Sequence, residues 1–416
     1  MLSFTRELMS EIRTMPRALW VLTGGQFINR FGSFVFPFLS LYLVEQNLTL
    51  GKVAWVIGAM SVGGIFAPFA GGYLADAMGR RNTIVLSLVG SAVTVLGIYF
   101  ASSFIGLVAI SFLHGFLTYM FGPAANALMS DVVPAEKRVL AFAIFRLALN
   151  AGFAAGPAVA GFLFTRSPML IFVGDAVTTL VFAGLALALL PHGLRTVKGR
   201  VSSPRVAWLS WKEAAQDGWR NGPFLQLLIA KLFMAVAFVQ VFNILALDTK
   251  ARGLTTVEYG LVMGFNGFII MVVELPLAQW IKRFPAKPVS ALGFGIIGLG
   301  CGSFAFANEL WEFFVAMGLF TLGEMIALPV SAAYGAQVAP EKYRGRYFGF
   351  FSVMWGFSAV VGSAGIRIYE SIGSNWWLLT GACGVLAAAI LIPVFRDTRP
   401  AIFTEKSSDS MGAAES

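Results

Sequence analysis

Gly72-Tyr73-Leu74-Ala75-Asp76-Ala77-Met78-Gly79-Arg80-Arg81 lies wedged between two long apolar runs. The stretch carries one carboxylate and two arginines, and it is too short and too basic for a typical outer loop. Positive charge is retained on the cytoplasmic side of a membrane, so this reads as a cytoplasmic hairpin between two spans. The runs beside it decide the secondary structure. Strands of a membrane barrel alternate apolar and polar with period two. The run from Ile84 to Ala101 is apolar on every face. Only a helix then satisfies the backbone in lipid.

The same character extends along the chain. Of 416 residues, 57% are hydrophobic and 12% charged, with mean hydropathy +0.77. Soluble domains carry about 25% charge. Apolar runs of about 18 residues or more recur, each long enough for a roughly 30 Å hydrocarbon layer. The expected fold is an all-α membrane protein with twelve transmembrane helices in two six-helix bundles. The spans are placed at about 19–45, 52–77, 82–101, 104–131, 139–165, 168–191, 223–247, 256–282, 287–306, 310–337, 344–369 and 375–395. A leader (1–18), the first bundle (19–191), a basic linker (192–222), the second bundle (223–395) and a polar tail (396–416) complete the organisation.

Charge distribution sets the orientation. With the N-terminus in the cytoplasm, 22 of the 30 Lys and Arg fall on that side and 4 on the other. Arg30, Arg146, Lys231 and Arg367 lie within spans. The net charge of +9 is thus a topology signal, and no nucleic-acid partner is implied. Both termini are expected in the cytoplasm of a plasma membrane, with the bacterial inner membrane as the setting. The leader lacks the apolar core of a cleavable signal. Cys301 and Cys383 sit in apolar runs and imply neither a disulfide framework nor a zinc site. With only two histidines, no metal is expected, nor any other cofactor. No nucleophile–base constellation, P-loop or ATPase domain points to an enzyme.

The halves match at an offset of 206: Pro134 with Pro340, Arg138 with Arg344, Phe142 with Phe348, and Gly156 with Gly362. The offset also sets Asp76 opposite Lys282 and Arg81 opposite Lys287. Six spans per repeat keep both copies in one orientation, an arrangement that puts a transporter's substrate site between them.

On the hairpin and this repeat, the chain resembles the major facilitator superfamily over nearly all its length. The resemblance implies that Gly72 lets span 2 pack tightly on span 11, and that Asp76 caps span 3. It implies that Arg80 pairs with Asp131, in a latch with Gly79, Arg81 and Arg138 that holds the outward-facing state. Gly152-Phe153-Ala154-Ala155-Gly156-Pro157-Ala158-Val159-Ala160-Gly161 is similar to the family's antiporter signature. Small residues at four-residue spacing, here Gly152, Gly156 and others up to Gly161, allow close helix approach, and Pro157 removes a backbone donor. The resemblance is to the twelve-helix drug:proton antiporter branch and implies export in exchange for protons. One departure stands out. Such exporters often carry an arginine in span 4, and His114-Gly115-Phe116-Leu117-Thr118-Tyr119-Met120-Phe121-Gly122 has none. Arg30 in span 1 is the expected substitute.

An ionisable group at the bilayer centre costs about 2.5–3.5 kcal/mol on insertion scales, so each one is a functional candidate. Glu324, mid-span in span 10, is the leading proton-coupling carboxylate, with Asp175 in span 6 second. Glu274 is expected to partner Arg146 or the loop cations. In this family's fold, spans 1, 4, 7 and 10 line the cavity. Gln26, Asn29, Arg30, His114, Tyr119, Gln240 and Asn243 are therefore expected to line it. Phe34, four residues after Arg30, should share its face. Lys231 and Arg367 are expected to snorkel toward the span ends. The expected partners are a small-molecule substrate, protons and the lipid bilayer, and the chain is expected to act as a monomer. The leading function is proton-coupled efflux of amphipathic or hydrophobic small molecules. The alternatives are uptake or facilitated diffusion of a polar or acidic metabolite, or lipid handling.

Overall fold

A computed structural model of the chain describes residues 14–134, 137–192, 204–281, 283–340 and 343–392. The leader and tail expectations therefore fall largely outside the described residues, as do Lys282 and the side chain of Asp76. The described secondary structure is helical throughout. We number the helices α1 (Arg17–Phe31), α2 (Val35–Glu45), α3 (Leu50–Ala77), α4 (Arg80–Phe100), α5 (Phe104–Tyr119), α6 (Phe121–Val132), α7 (Arg138–Arg166) and α8 (Pro168–Leu189). The second half contains α9 (Pro204–Arg220), α10 (Gly222–Asn243), α11 (Leu245–Ala251), α12 (Thr256–Ile281), α13 (Ala286–Ser303), α14 (Leu310–Val338), α15 (Arg344–Ile372) and α16 (Trp376–Leu391).

Eleven segments are long and apolar enough to cross a membrane among the described residues. The last, Arg346–Leu391, has 46 residues, about twice what one crossing needs. It holds α15 and α16, separated by a 3-10 turn at Gly373–Asn375. Gly373 has φ +55, a left-handed conformation that suits glycine at a sharp reversal.

Local chemistry sets the helix starts. Thr49, Ser103 and Asn221 accept from the backbone N–H of Lys52, Gly106 and Phe224, and Glu309 with Glu312 forms a capping box. Gly79 precedes α4 with φ +98, so the tight α3–α4 turn requires glycine there. The repeat is visible in the helix starts. Leu50, Arg80, Phe104 and Arg138 begin helices, and so do Thr256, Ala286, Leu310 and Arg344 at the same offset.

Three spans read as single helices are broken. The first divides at Gly32–Phe34 into α1 and α2, the fourth at Met120 into α5 and α6, and the seventh at Ile244 into α10 and α11. The linker also differs from its sequence reading, because it contains α9. That helix is amphipathic, with Trp211, Ala214 and Gly218 at helical spacing on its inner side.

Packing is dense within each half, notably α4 on α8 and α1 on α7 in the first, α13 on α14 and α16 in the second. Two seams join the halves: α7 on α12, and α3 on α15. Glycines set both. A Cβ at Gly161 would lie 2.4 Å from Thr256 O, and one at Gly260 would lie 2.3 Å from Pro157 O. The end away from the linker is shut. There Lys250 of α11 pairs with Glu45 of α2, and Tyr259 donates to Pro37 O at 2.8 Å. Toward the linker end the α3–α15 seam parts. A Cβ at Gly72 would meet nothing within 4 Å. The expected tight packing of Gly72 against the eleventh span is thus absent in this conformation, because the two helices diverge below Ile65.

Candidate functional site: a cavity between the halves

A cavity of about 530 Å³ lies where α1, α2, α3, α5, α7, α10, α12, α14 and α15 meet. Its walls are mainly apolar: Phe36, Ile57, Met60, Phe153, Phe238, Phe242 and Trp355. The rings form a continuous surface, with Phe36 5.6 Å from Phe242, Phe153 6.2 Å from Phe242 and Phe238 5.3 Å from Trp355 between centroids. Few polar groups interrupt it. Arg30, Tyr119 and Asn243 line it as expected from the sequence, joined by Asn150, Asn266 and Glu324.

Glu324 is the carboxylate of this cavity. Asn266 Nδ2 donates to its Oε2 at 2.8 Å and also reaches Thr321 Oγ1 at 2.9 Å. Gly323 beside it lets α14 press on α13, where a Cβ would lie 2.5 Å from Ile297 N. The carboxylate is therefore held on a rigid, closely packed helix. Asn266 was not among the sequence candidates, although its place on α12, which lines the cavity through Asn266 and Ile270, was a usable signal.

A second cavity of about 290 Å³ lies within the first half. Gln26, Asn29, Arg30, His114, Tyr119 and Asp175 line it. Arg30 and Tyr119 thus border both cavities, whereas Gln26, Asn29 and His114 belong to the inner one. Asn29 Nδ2 donates to Thr179 Oγ1 at 2.9 Å, and His114 Nδ1 lies 3.1 Å from Thr94 Oγ1. Asp175 Oδ2 accepts from Val35 N at 3.2 Å. That N–H belongs to the first residue of α2, so the carboxylate caps the broken first span, where the helix end is positive.

Several side chains turn away from where the sequence reading placed them. Gln240 is fully buried but lines neither cavity. It faces α15 and α16, accepting from Trp376 Nε1 at 3.4 Å in space that Gly362 and Gly365 leave open. Phe34 packs on Gly174 rather than sharing a face with Arg30, because the break at Gly32 interrupts the helical spacing. Lys231 does not snorkel. It is 7% exposed, donates to Ser331 Oγ at 3.0 Å and sits 4.8 Å from the Phe351 ring centroid.

The described contacts of the hairpin arginines and of Arg138 lie within the first half. Arg80 Nε is 3.3 Å from Asp131 Oδ2. Arg81 reaches Leu187 O and His192 Nε2, tying α4 to the end of α8. Arg138 donates to Ser130 O and Val133 O, closing the C-terminus of α6. Arg146 does cross between halves, pairing with Glu274, to which Asn150 also donates. The helix-packing motif works on two sides. Cβ atoms at Gly152 and Gly156 would lie 2.7 Å from Phe27 O and 2.5 Å from Phe31 O of α1, and Pro157 and Gly161 face α12.

Asp248 had no place in the sequence reading. It is fully buried at the shut end and accepts from Tyr369 Oη (2.9 Å), Ser374 Oγ (2.7 Å) and Trp377 Nε1 (2.9 Å), with Arg252 Nη2 at 3.1 Å. It ties α11 to α15 and α16. Short spacing to Arg252 was the one available clue.

Two repeats of membrane helices around a shared cavity, bearing few polar groups, define a multi-pass membrane transporter. The family model of the Major Facilitator Superfamily matches residues 22–363 and, overlapping, 242–411. The chain belongs to that superfamily, and its members are transporters rather than enzymes. It is 25% identical over 424 residues to a Na(+), Li(+), K(+)/H(+) antiporter of Planococcus maritimus, covering 92% of this chain and 97% of that one. It is also 25% identical to the multidrug resistance protein MdtH of Aeromonas hydrophila, covering 90% and 95%. Among solved structures it resembles a POT family transporter in complex with a thioalcohol conjugated peptide (TM-score 0.75, 13% identity, 92% and 98% covered). It also resembles the nucleoside transporter NupG (TM-score 0.76, 14% identity, 90% and 98% covered). At these identities the solved structures speak to the fold alone.

Proposed function

We propose that the chain is a proton-coupled exporter of amphipathic small molecules, working by alternating access. In this reading it is a monomer of the bacterial inner membrane with both termini in the cytoplasm. Twelve crossings fall in bundles 19–191 and 223–395, joined by 192–222. The observation that carries the reading is Glu324. Among the described residues it is the one carboxylate on the wall of the aromatic central cavity, and its described hydrogen bond comes from neutral Asn266. A desolvated carboxylate with no cation in direct contact is suited to take up and release a proton. Substrate and proton then compete for one cavity, which is the linkage that antiport requires.

Asp175 is the second proton site in this proposal. Protonation there removes a negative charge from the positive end of α2, and so biases the break between α1 and α2. The hairpin group of Gly72, Asp76, Gly79, Arg80, Arg81, Asp131 and Arg138 acts as the linker-end latch. The relatives named for cation/proton antiport and multidrug resistance support the coupling and the direction.

The test is substrate-driven proton movement in proteoliposomes loaded with a pH dye, across a panel of lipophilic compounds and with a protonophore control. Substrate addition is expected to drive proton efflux that Glu324→Gln abolishes. Full proton-dependent transport in that variant rejects the assignment.

A further inference from the structure

We propose that the substrate is an amphipathic zwitterion, with an acidic group bound by Arg30, a basic group bound by Glu324 and an aromatic body between them. This deepens the preceding section, and it rests on the central cavity being the substrate site. Arg30 on α1 and Glu324 on α14 belong to different halves and line the same apolar space. Neither makes an ion pair among the described residues: Asp175 acts on Arg30, and Arg146 on Glu324, only at longer range. The described arginines Arg80, Arg146 and Arg252 pair with carboxylates. The Arg30 side chain makes no ion pair or hydrogen bond among the described residues, and its buried Nε has no acceptor. Asp175 is committed to the N–H of Val35.

A buried charge left unpaired is costly, and a guanidinium favours a planar oxyanion that can take two parallel bonds. An acid group on the substrate supplies that oxyanion. An ammonium does for Glu324 what a proton does, so its binding displaces the proton and preserves antiport. A molecule carrying only the acid would add negative charge beside Glu324. A molecule carrying only the base would leave Arg30 unsatisfied. The aromatic walls take up the apolar body, and about 530 Å³ suits a drug-sized molecule.

The test is equilibrium fluorescence binding to the purified full chain in nanodiscs, against empty nanodiscs, with three related dyes: zwitterionic rhodamine B, its cationic ethyl ester and anionic fluorescein. Rhodamine B is expected to bind about tenfold tighter than either of the others. Arg30→Gln should bring rhodamine B down to the ester and leave the ester unchanged. Glu324→Gln should weaken both rhodamines. Equal affinity of acid and ester in the wild type overturns the proposal, as does equal weakening of both by Arg30→Gln or no binding of any dye. The wild-type comparison needs no variant to fold. Binding needs no proton gradient, so a failure of proton coupling alone leaves this result standing.

A second, independent observation concerns α9. On α3, residues 58, 65 and 72 are two turns apart and share a face, as do 363, 356 and 349 on α15. A Cβ at Gly58 would lie 2.9 Å from Ser363 Oγ, and one at Gly356 would lie 2.3 Å from Ile65 Cγ1. The next pair in the seam is Gly72 with Gly349. Gly72 meets nothing, whereas a Cβ at Gly349 would lie 2.4 Å from Trp211 Cη2. The Trp211 ring, held at 5.5 Å from the Phe350 ring, thus occupies the place where Gly72 would dock. We infer that α9 is a wedge: Trp211 must leave the seam before the linker end closes.

The readout is the rate at which a water-soluble maleimide labels Gly72→Cys from the linker side, with Cys301 and Cys383 replaced by alanine. Trp211→Ala should favour closure and slow labelling several-fold. Trp211→Leu, which keeps an apolar chain on α9, should act in the same direction. An unchanged or faster rate in both variants overturns the wedge.

Discussion

Asp248 is the residue whose removal has the most definite structural consequence. Its carboxylate receives three neutral donors and one guanidinium in a site with no solvent access. Asp248→Ala leaves Arg252, whose side chain is 11% exposed, without its anion and orphans the three donors. Breaking a buried pair by removing one partner costs about 3–5 kcal/mol. Arg252 retains Ala305 O and Ala307 O as acceptors, which places the loss toward the lower end of that range. Asp248→Asn keeps the shape and one acceptor oxygen, but it turns an amide N–H₂ toward Trp377 Nε1 or toward Tyr369 and Ser374. It should cost roughly 2 kcal/mol through the mismatched donors. Ser374→Ala removes one neutral donor and should cost about 1 kcal/mol. The assay is thermal unfolding of purified protein in detergent, followed by monodispersity. The expected order of melting temperature is wild type, Ser374→Ala, Asp248→Asn, Asp248→Ala. An Asp248→Ala protein melting with the wild type would refute the view that this carboxylate ties α11 to α15 and α16.

Further outcomes follow from the seams and the site. Gly156→Val places side-chain atoms where Phe31 O already stands 2.5 Å from a Cβ. Overpacking of this kind costs about 1–3 kcal/mol, and thermal unfolding should register it, whereas Gly72→Ala should be silent. Glu45→Lys sets like charges together at the shut end. With a surface pair worth about 0.2–1 kcal/mol, accessibility of that end should rise by at most about fivefold, and the double exchange with Lys250→Glu should restore it. Asn266→Leu leaves Glu324 without its donor and should impair proton-driven transport while leaving the melting temperature close to wild type.

Much of the fold was legible because lipid imposes one rule along the chain. Every span must be apolar and must close its own backbone bonds, so runs such as Ile84 to Ala101 declared themselves. The repeat was equally plain, since Pro134 with Pro340 and Arg138 with Arg344 mark equivalent helix starts. The breaks at Gly32, Met120 and Ile244 were not legible, because hydropathy does not register a change of helix axis. That omission misled the placement of Phe34. Helix rotation was the other hidden quantity. It decides that Asn243 faces the cavity while Gln240, three residues earlier, faces α15 and α16. Asp248 was unreadable because its three neutral donors come from residues more than a hundred positions away. The helix in the linker was hidden because the segment's charges mask the helical spacing of Trp211, Ala214 and Gly218. Arg30, Tyr119 and Glu324, which line the central cavity, stood out in the sequence for a different reason: charge and polar groups persist in a membrane interior only where they face something other than lipid.

The central claim is that one cavity opens to each side in turn as the two halves rock. Paired spin labels on the same two helices test it most directly. One pair, at Tyr73 and Phe348, reports the linker end of α3 and α15, and the other, at Lys52 and Arg367, reports the shut end. Distance distributions are compared across pH and with substrate. The account predicts that the first distance shortens as the second lengthens. Two distances that stay fixed together, or change in the same direction, would contradict it.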